Sequence, residues 1–419
     1  MARGPRRDIF ERRLRPMDAA GPRLHNERAV MTAVARAPGQ SAAEVARATG
    51  LGAQSVARIL VELEQVGLVV RGEPIKGRRG QPAVPIYPNP DGAFILGCEI
   101  GWRHFHILIR NFTGKILGEH RRDYAFPDAD AVFGEIGAEA RLLVDLVPAD
   151  LQHRVLGMGL AMPSGIGLAM PSGIGRNIDL VGGSVAQAQR WKALDITAAA
   201  EAASGLQIFR YNDGNAACWA ELAAHPPPRP ANLAYFQVGT FTGAGLVAQG
   251  RLWEGPTGNS ANLGSMVVTQ PDGRQQFVHL IASIYAFEAR LRTAGLEVPP
   301  GNPIDWDWTR LEPVTEGWLQ DSADALAKAI VNAHAVMEFS VALVDGVMPR
   351  PVVARLLEKV QREVDAMPVL TADPPKVEMG RLGGAAAARG AALKPLWRRY
   401  FSLDPDDLQR ISPIGASTK

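Results

Sequence analysis

The stretch "SAAEVARATGLGAQSVARILVELEQVGLV", Ser41 to Val69, contains the strongest local structural signals in the N-terminal part of the chain. Ser41 and Glu44 have the spacing of a capping box, in which two side chains satisfy free backbone N–H groups in the first turn of a helix. Gly50 and Gly52 then end that helix and allow a sharp turn. The stretch therefore predicts a helix, a tight turn and a second helix.

The second helix has one apolar and one polar face. Apolar residues recur at the i, i+3, i+4 and i+7 positions, namely Val56, Ile59, Leu60 and Leu63. The exposed first turn is short and polar and is followed by one arginine, which is the chemistry of a recognition helix lying in a major groove of DNA. The DNA-binding residues predicted on this helix are Ala53, Gln54, Ser55 and Arg58.

Segments on both sides extend this helix pair into a winged helix-turn-helix, predicted over residues 23–88. An earlier helix carrying Val30, Ala33 and Val34 completes a three-helix unit. After the helix pair, an extended ribbon has a basic tip whose side chains are predicted to contact phosphates or a minor groove. These wing residues are Lys76, Arg78 and Arg79. The alternative is that a small helical hairpin has a similar pattern and that the charges only face solvent.

Charge is distributed unevenly along the chain. The first 82 residues contain 15 Lys and Arg against 8 Asp and Glu, a net charge of +7, although the whole chain carries only +2. A basic first fifth on an acidic remainder indicates a nucleic-acid-binding module joined to another kind of domain. Residues 1–22 are predicted to be a disordered basic tail, with a DNA-contacting arm as the alternative.

Composition excludes several classes of protein. The 419 residues are 47% hydrophobic and 21% charged, which is enough apolar material for more than one globular domain. No stretch has the roughly 18 to 20 apolar residues of a membrane helix, and the Arg-rich start lacks the features of a secretory signal, so a cytoplasmic protein with no membrane partner is expected. Two cysteines, Cys98 and Cys218, are too few for a disulfide framework or a Cys-rich zinc site.

From Ala93 onward the pattern changes to buried strands that end in polar or glycine-rich loops. The segments "AFILGCEIG" and "FHILIRNFTGKILGEH" predict paired strands with a turn at Gly114 and Lys115. The segments "LQIFRYNDGNAACWAELAA" and "LAYFQVGTFTGAGLVAQGRLW" each follow a strand with such a loop. Ligand chemistry is expected at these strand ends in an α/β fold.

Four segments in this order resemble the ROK family of repressors, uncharacterised reading frames and sugar kinases: the winged helix, "GQPAVPIYPNPDGAFILGCEIG", "YNDGNAACWAE" and "VGTFTGAGLVAQGRLWEGPTGNSANLGSM". The chain is most similar to the transcriptional regulators of that family, from about Arg23 to Leu393. The resemblance implies an α/β fold in which the winged helix-turn-helix precedes a two-lobed actin-like ATPase (ribonuclease H-like) body. Lobe 1 is expected at 89–215, lobe 2 at 216–375, and a C-terminal helix returning to lobe 1 at 376–419.

The resemblance also implies a sugar in the cleft between the lobes. It places Asp213, beside Asn212, at the position of the family's sugar-contacting aspartate, which is the general base of the family's kinases. A carboxylate accepts hydrogen bonds from hydroxyl groups and an amide both donates and accepts them, so this pair suits a polyol. The alternative is that Asp213 only caps a helix beginning at Asn215.

Other positions depart from the family pattern. Asn262 and Ser265 replace the glutamate and histidine of its Gly-Glu-x-Gly-His segment, and His279 stands where a sugar-binding glutamate is expected. The five predicted ligand-binding residues, Asn212, Asp213, Asn262, Ser265 and His279, carry one certain negative charge, which favours a neutral sugar or polyol over a sugar phosphate. The family's cysteine-rich zinc loop reads "QPDGRQQFVH" here, so no metal site and no cofactor are predicted.

The first phosphate loop of the family's kinases is also altered. Its Asp-x-Gly-Gly-Thr sequence corresponds to Glu99–Arg103, with Trp102 in place of the second glycine. A bulky indole prevents the backbone from approaching a phosphate there. No catalytic residue is therefore predicted, and the chain is not expected to be an enzyme.

Two further features have open interpretations. Trp306, Trp308 and Trp318 are either platforms that stack on a sugar or, as we expect, packing between domains. The eight residues of 159–166 are repeated without change at 167–174. Because only one copy can form the turn at the cleft, an in-frame duplication absorbed by a surface bulge is expected.

These observations together predict a DNA-binding transcriptional regulator, a repressor, that binds a double-stranded DNA operator and senses a small neutral sugar or polyol. A homodimer or homotetramer is expected. The alternatives are a sugar kinase with an added N-terminal module and a ligand-independent DNA-binding dimer.

Overall fold

The computed structural model describes residues 21–75, 84–163, 173–255, 258–259, 261–368 and 373–402. The chain divides into two compact units. One unit comprises the chain up to Asn89 together with the chain from Tyr400 onward, and the other is the body, Pro90–Arg399. The N-terminal unit therefore ends within one residue of the predicted boundary at 88.

The described residues form the following regular elements. The helices are α1 (Gly21–Arg36), α2 (Ala42–Thr49), α3 (Ala53–Gln65), α4 (Val132–Val144), α5 (Gly173–Asn177), α6 (Val185–Ala193), α7 (Ile196–Ser204), α8 (Asp213–Ala224), α9 (Ile284–Thr293), α10 (Glu312–Met337), α11 (Arg350–Ala366) and α12 (Ala386–Tyr400). The strands are β1 (Val69–Arg71), β2 (Ile86–Pro88), β3 (Phe94–Ile100), β4 (His104–Asn111), β5 (Ile116–Asp123), β6 (Val155–Met162), β7 (Ile208–Asn212), β8 (Leu233–Val238), β9 (Thr242–Ala248), β10 (Arg251–Leu252), β11 (Val267–Thr269), β12 (Gln275–Phe277), β13 (Val341–Gly346) and β14 (Lys376–Met379).

Helices α2 and α3 form as the sequence predicts. The Ser41 backbone N–H donates to Glu44 Oε2 over 2.8 Å, and the Glu44 N–H donates to Ser41 Oγ over 3.4 Å, which completes the capping box. Gly50 follows α2 with φ 69°, the left-handed conformation that glycine adopts at low cost. The predicted apolar stripe of α3 is buried along its whole length: Val56, Ile59, Leu60 and Leu63.

Strands β1 and β2 and the described residues from Tyr400 onward complete the N-terminal unit. Strands β1 and β2 pair antiparallel, with Val69 opposite Pro88. The predicted wing-tip residues Lys76, Arg78 and Arg79 lie outside the described residues, as does most of the predicted N-terminal tail, and α1 begins two residues before the predicted boundary at 23. The segment 376–419 was predicted to return to lobe 1, but its described residues from Tyr400 onward belong to the N-terminal unit. There the Ser402 N–H donates to Thr32 Oγ1 of α1 over 2.9 Å.

The two lobes of the body repeat one strand order. The first sheet runs β5-β4-β3-β6-β7 and the second runs β10-β9-β8-β13-β14. In each sheet three consecutive strands form an antiparallel meander, and two later strands add in parallel beside the first of them. Because β14 belongs to the second sheet, lobe 2 reaches Met379, four residues beyond the predicted boundary at 375.

Helix α12 returns to lobe 1 by close backbone packing. A Cβ atom on Gly159 of β6 would overlap the carbonyl oxygen of Ala391 on α12. Only glycine permits that approach between the strand and the helix. The helix is buried along its small residues, in keeping with the close packing that its sequence predicts.

Lobe 2 has a core of large aromatic rings. Phe287 of α9 lies with its ring centroid 5.0 Å from that of Trp308 and 4.9 Å from that of Trp318. Trp306 joins this cluster, and each of the three indole N–H groups donates to a backbone carbonyl. The three tryptophans therefore pack within one lobe, whereas the sequence had suggested packing between domains.

Two remaining expectations concern the repeat and the membrane. Strand β6 passes through the start of the first copy, as predicted, but the residues of 164–172 lie outside the described part of the chain. Within the described residues, no helix combines the length and the apolar character that crossing a bilayer would require.

Candidate functional site

The exposed face of α3 carries the predicted DNA-binding residues of that helix. Ala53, Gln54, Ser55 and Arg58 are all exposed. Arg58 Nη1 lies 2.9 Å from Glu62 Oε1, in an ion pair whose arginine side chain is 57% exposed. An exposed pair of this kind contributes little to stability, so Arg58 can exchange it for another acceptor at small cost.

A cleft of about 360 Å³ lies between the two lobes of the body. Lobe 1 lines it with the ends of β3 and β7, and lobe 2 lines it with the loop between β8 and β9 and with the residues around β12. All five of the predicted ligand-binding residues line this one cleft: Asn212, Asp213, Asn262, Ser265 and His279. Their contact with a ligand remains a prediction.

Asn212 and Asp213 have different roles in the local structure. Asn212 Oδ1 accepts the Asn215 N–H over 3.0 Å, so Asn212 is the N-cap of α8. The interpretation of Asp213 as the cap of a helix beginning at Asn215 is therefore wrong, because α8 begins at Asp213 itself. Asp213 Oδ1 accepts only the adjacent Gly214 N–H, over 2.8 Å, among the hydrogen bonds of the described chain.

A second carboxylate, Glu99, lies in the same cleft near Asp213. Burial raises the pKa of Asp213 to about 7, and the negative charge of Glu99 acts in the same direction. Burial would also raise the pKa of Glu99, but His104, His106 and Arg121 outweigh it and lower that pKa. Glu99 is therefore ionised at neutral pH, whereas the pKa of Asp213, about 7, leaves that carboxyl partly protonated at neutral pH.

Two ion pairs engage the arginines of the cleft. Arg103 Nη2 of lobe 1 lies 3.0 Å from Glu288 Oε2 of lobe 2, so this pair joins the lobes. Arg121 Nη2 lies 2.9 Å from Asp123 Oδ1. Each guanidinium in the described lining thus has a carboxylate of its own.

Aromatic side chains occupy both glycine-rich loops of the cleft. The rings of Trp102 and Phe241 meet edge to face, with 5.1 Å between their centroids. Phe241 also packs on Tyr285, at 5.2 Å, and lies 6.1 Å from the His279 ring. Burial lowers the pKa of His279, which favours the neutral imidazole. The indole predicted to block the first phosphate loop thus packs on a second ring in the other loop.

Several cleft residues were not predicted from the sequence. They are Arg103, His104, Arg121, Asp123 and Glu288, together with Glu99 as a binding residue. Glu99 stands near the end of a predicted strand, and that position is the sequence feature that could have identified it as a binding residue. Glu288 lies in the middle of α9 and has no local signal, because its partner Arg103 is 185 residues away in sequence. Within the described residues, no group of three or more His, Cys, Asp or Glu could hold a metal ion.

Comparison with known proteins assigns the family. The ROK family model matches residues 95–397, and the chain belongs to the ROK family. The MarR family model matches residues 25–80, which contain most of α1 and all of α2 and α3. The predicted fold class is confirmed: a winged helix-turn-helix is followed by a two-lobed actin-like ATPase (ribonuclease H-like) body.

Individual relatives are distant in sequence. The chain is 24% identical over 241 residues to a xylose repressor of Caldicellulosiruptor bescii, and the match covers 55% of this chain and 56% of that protein. The chain thus spans about half the length of the xylose repressors that it matches. It is 24% identical to an uncharacterized protein of Sinorhizobium fredii, over 90% of this chain and 92% of that one.

The fold as a whole also has a solved counterpart. It is similar to the crystal structure of a ROK family transcriptional regulator described as a homologue of the Escherichia coli Mlc protein. That similarity has a TM-score of 0.67 at 20% identity and covers 93% of this chain and 99% of the other.

Proposed function

We propose that this chain is a transcriptional repressor whose binding to a double-stranded DNA operator changes when a small sugar or polyol occupies the interlobe cleft. The observation that best supports this proposal is the amphipathic helix α3, which buries its apolar stripe and exposes Gln54, Ser55 and Arg58 on the opposite side. Such a helix, preceded by a capped helix and a tight turn and followed by a wing, is the geometry of major-groove recognition. The similarity to xylose repressors supports a sugar as the effector.

The cleft supports the second half of this proposal. It offers amide, hydroxyl and carboxylate groups on facing lobes, which can hydrogen-bond several hydroxyl groups of one small ligand. The direction of the response, release or tightening on DNA, is a separate question that the same binding assay answers.

The DNA half is tested with variants of the recognition helix. After selection of an operator from random duplex DNA, Gln54→Ala and Arg58→Ala should each weaken specific binding by about 1 to 3 kcal/mol and hardly change its salt dependence. Arg310→Ala is the matched control, because Arg310 is an 86% exposed arginine on the body. Equal operator binding by the wild type and a chain lacking residues 1–88 would contradict the proposal.

The wing offers a contrasting test. Arg78→Ala and Arg79→Ala should lower affinity for all DNA sequences alike and reduce the salt slope by about 1 each if they contact phosphates. Loss of discrimination between operator and random DNA, with unchanged affinity for random DNA, would contradict a phosphate role and indicate base contacts.

A sugar kinase is the alternative that the family itself offers. The packing of Trp102 on Phe241 argues against it, because these rings occupy loops through which a kinase would approach phosphate groups. We therefore expect no phosphorylation of hexoses by ATP. Turnover that is lost in Asp213→Asn would instead support the kinase.

The remaining alternative is a DNA-binding dimer that ignores small ligands. A homodimer or homotetramer is expected in either case, and sedimentation of the full chain with and without operator measures it. A sugar panel that changes neither thermal stability nor operator binding would favour the ligand-independent dimer.

A further inference from the structure

The charges of the cleft do not balance. Its described lining contains four carboxylates and two guanidiniums, namely Glu99, Asp123, Asp213, Glu288, Arg103 and Arg121. Arg103 is paired with Glu288, and Arg121 with Asp123. Glu99 and Asp213 are left without a guanidinium of their own.

One oxygen of the Glu99 carboxylate has no hydrogen-bond donor in the described chain. The residue is 7% exposed, and within the described chain its Oε2 atom has no hydrogen-bond partner. His104 Nε2 lies 3.5 Å from that oxygen, a long distance for a hydrogen bond, and this histidine is the main group that offsets burial and lowers the pKa of Glu99. That oxygen retains an unused acceptor position, which a group that arrives with N–H donors can fill.

We propose that the effector is a sugar that carries a protonated amino group, and that Glu99 is the residue that selects this amine over a hydroxyl. This inference rests on the proposed function and identifies the class of ligand for the same cleft. It also revises the expectation of a neutral ligand, which counted Asp213 as the one certain negative charge and did not include Glu99.

The chemistry of an ammonium group fits both carboxylates. An ammonium has three N–H donors and a full positive charge, whereas a hydroxyl has one donor and no charge. Burial raises the pKa of Asp213 and the charge of Glu99 raises it further, so a cation bound beside the two carboxylates would relieve their repulsion and favour the ionised form of Asp213. The same two charges would repel a sugar phosphate.

The experiment compares matched sugars on the full-length protein by titration calorimetry at pH 7. The probes are D-glucose, D-galactose and D-mannose, each with its 2-amino-2-deoxy counterpart, and 6-amino-6-deoxy-D-glucose. At least one amino sugar should bind about tenfold or more tightly than its parent hexose, which is the size expected of a charge-assisted hydrogen bond. Operator binding is measured with each sugar on the same samples.

Glu99→Gln keeps the shape of the side chain and removes its charge. It should lower the ratio of amino-sugar to hexose affinity about tenfold, and this ratio does not depend on the fraction of folded protein. Asp150→Asn is the matched control, because it removes one exposed carboxylate outside the cleft lining, and it should leave the ratio unchanged.

Two results would overturn the inference, and they are distinguishable. If a hexose binds as tightly as its amino counterpart, or if Glu99→Gln leaves the ratio unchanged, the amine assignment fails and the sugar-responsive repressor stands. If none of the seven sugars binds and none changes operator binding, the amine assignment fails together with the effector half of the proposed function.

Discussion

The two lobes share a strand order but supply the cleft with different chemistry. Lobe 1 contributes five charged side chains, whereas the hydrogen-bonding side chains of lobe 2 are chiefly amides, hydroxyls and one imidazole, with Glu288 as the charged exception. The charged residues of lobe 1 are Glu99, Arg103, Arg121, Asp123 and Asp213. The same strand order thus gives the cleft a charged wall, formed by these five side chains of lobe 1, and an opposite wall of mostly uncharged hydrogen-bonding groups in lobe 2.

The lobes also differ in how their sheets are packed. The lobe 1 sheet receives α12 through glycine and alanine, so its backbone approaches the helix closely, whereas lobe 2 fills its core with Phe287 and large indoles. Where two backbone segments touch, neither can move aside to make room for an added atom. Where side chains touch, they can change rotamer to make room. The two lobes should therefore respond differently to substitution.

The largest effect is expected where the backbone of lobe 1 meets α12. Gly159→Ala places a methyl group on the carbonyl oxygen of Ala391, so we expect a loss of about 3 kcal/mol in the free energy of unfolding by urea. Gly134→Ala, at an open site in α4, is the control and should gain about 0.5 to 1 kcal/mol. Equal stabilities of the two variants would show that α12 does not pack on lobe 1 as described.

The charged wall is tested next at Asp213. At an effector concentration of about 100 times Kd, ligand binding should stabilise the wild type by about 2.7 kcal/mol and Asp213→Ala not at all. Without ligand, Asn212→Ala should lose about 1 kcal/mol because it removes the cap of α8, whereas Asp213→Ala should not. Thermal unfolding measures both quantities, and a full ligand shift in Asp213→Ala would remove Asp213 from the binding site.

The same carboxylate should make stability depend on pH. Asp213 ionises near pH 3.8 when unfolded, but burial beside Glu99 raises its pKa in the folded chain to about 7. The folded state therefore binds the proton more tightly, and the stability it contributes is lost as pH rises from about 4 to 7, by at most about 1.4 kcal/mol per pH unit. Urea unfolding of Asp213→Asn should lack this slope; parallel profiles for the two proteins would contradict it.

The sequence predicts best where the signals are local. The capping box at Ser41, the glycine at Gly50 and the helical spacing of the α3 stripe each act within a few residues, and all three are present in the structure. The five predicted ligand-binding residues meet in one cleft because loops at neighbouring strand ends converge, which topology fixes once the strand order is known.

Features that depend on distant partners were missed. Strand β14 has four residues and takes its hydrogen bonds from β13, which lies about thirty residues earlier, so lobe 2 was ended too soon. The alternative that Asp213 caps a helix was wrong because the neighbouring Asn212 holds the N-cap position, a difference of one residue that propensity does not resolve. Glu288 has an ordinary helical position until the fold brings Arg103 to it.

The smallest expected effect concerns that contact between the two walls. Arg103→Met removes one of the two arginines paired with Glu288, which is only 2% exposed. The other, Arg292, lies 3.2 Å from the Glu288 carboxylate, so the buried charge keeps one cationic partner. Since Arg103 itself is 34% exposed, we expect a loss of only about 1 kcal/mol in the free energy of unfolding. The control Arg310→Met breaks an exposed pair with Asp307 inside lobe 2 and should change stability by less than about 0.5 kcal/mol. If urea unfolding shows the same small change for both variants, the ion pair does not hold the charged wall of lobe 1 to lobe 2, and the other contacts between the lobes, such as that of the Trp102 and Phe241 rings, are sufficient.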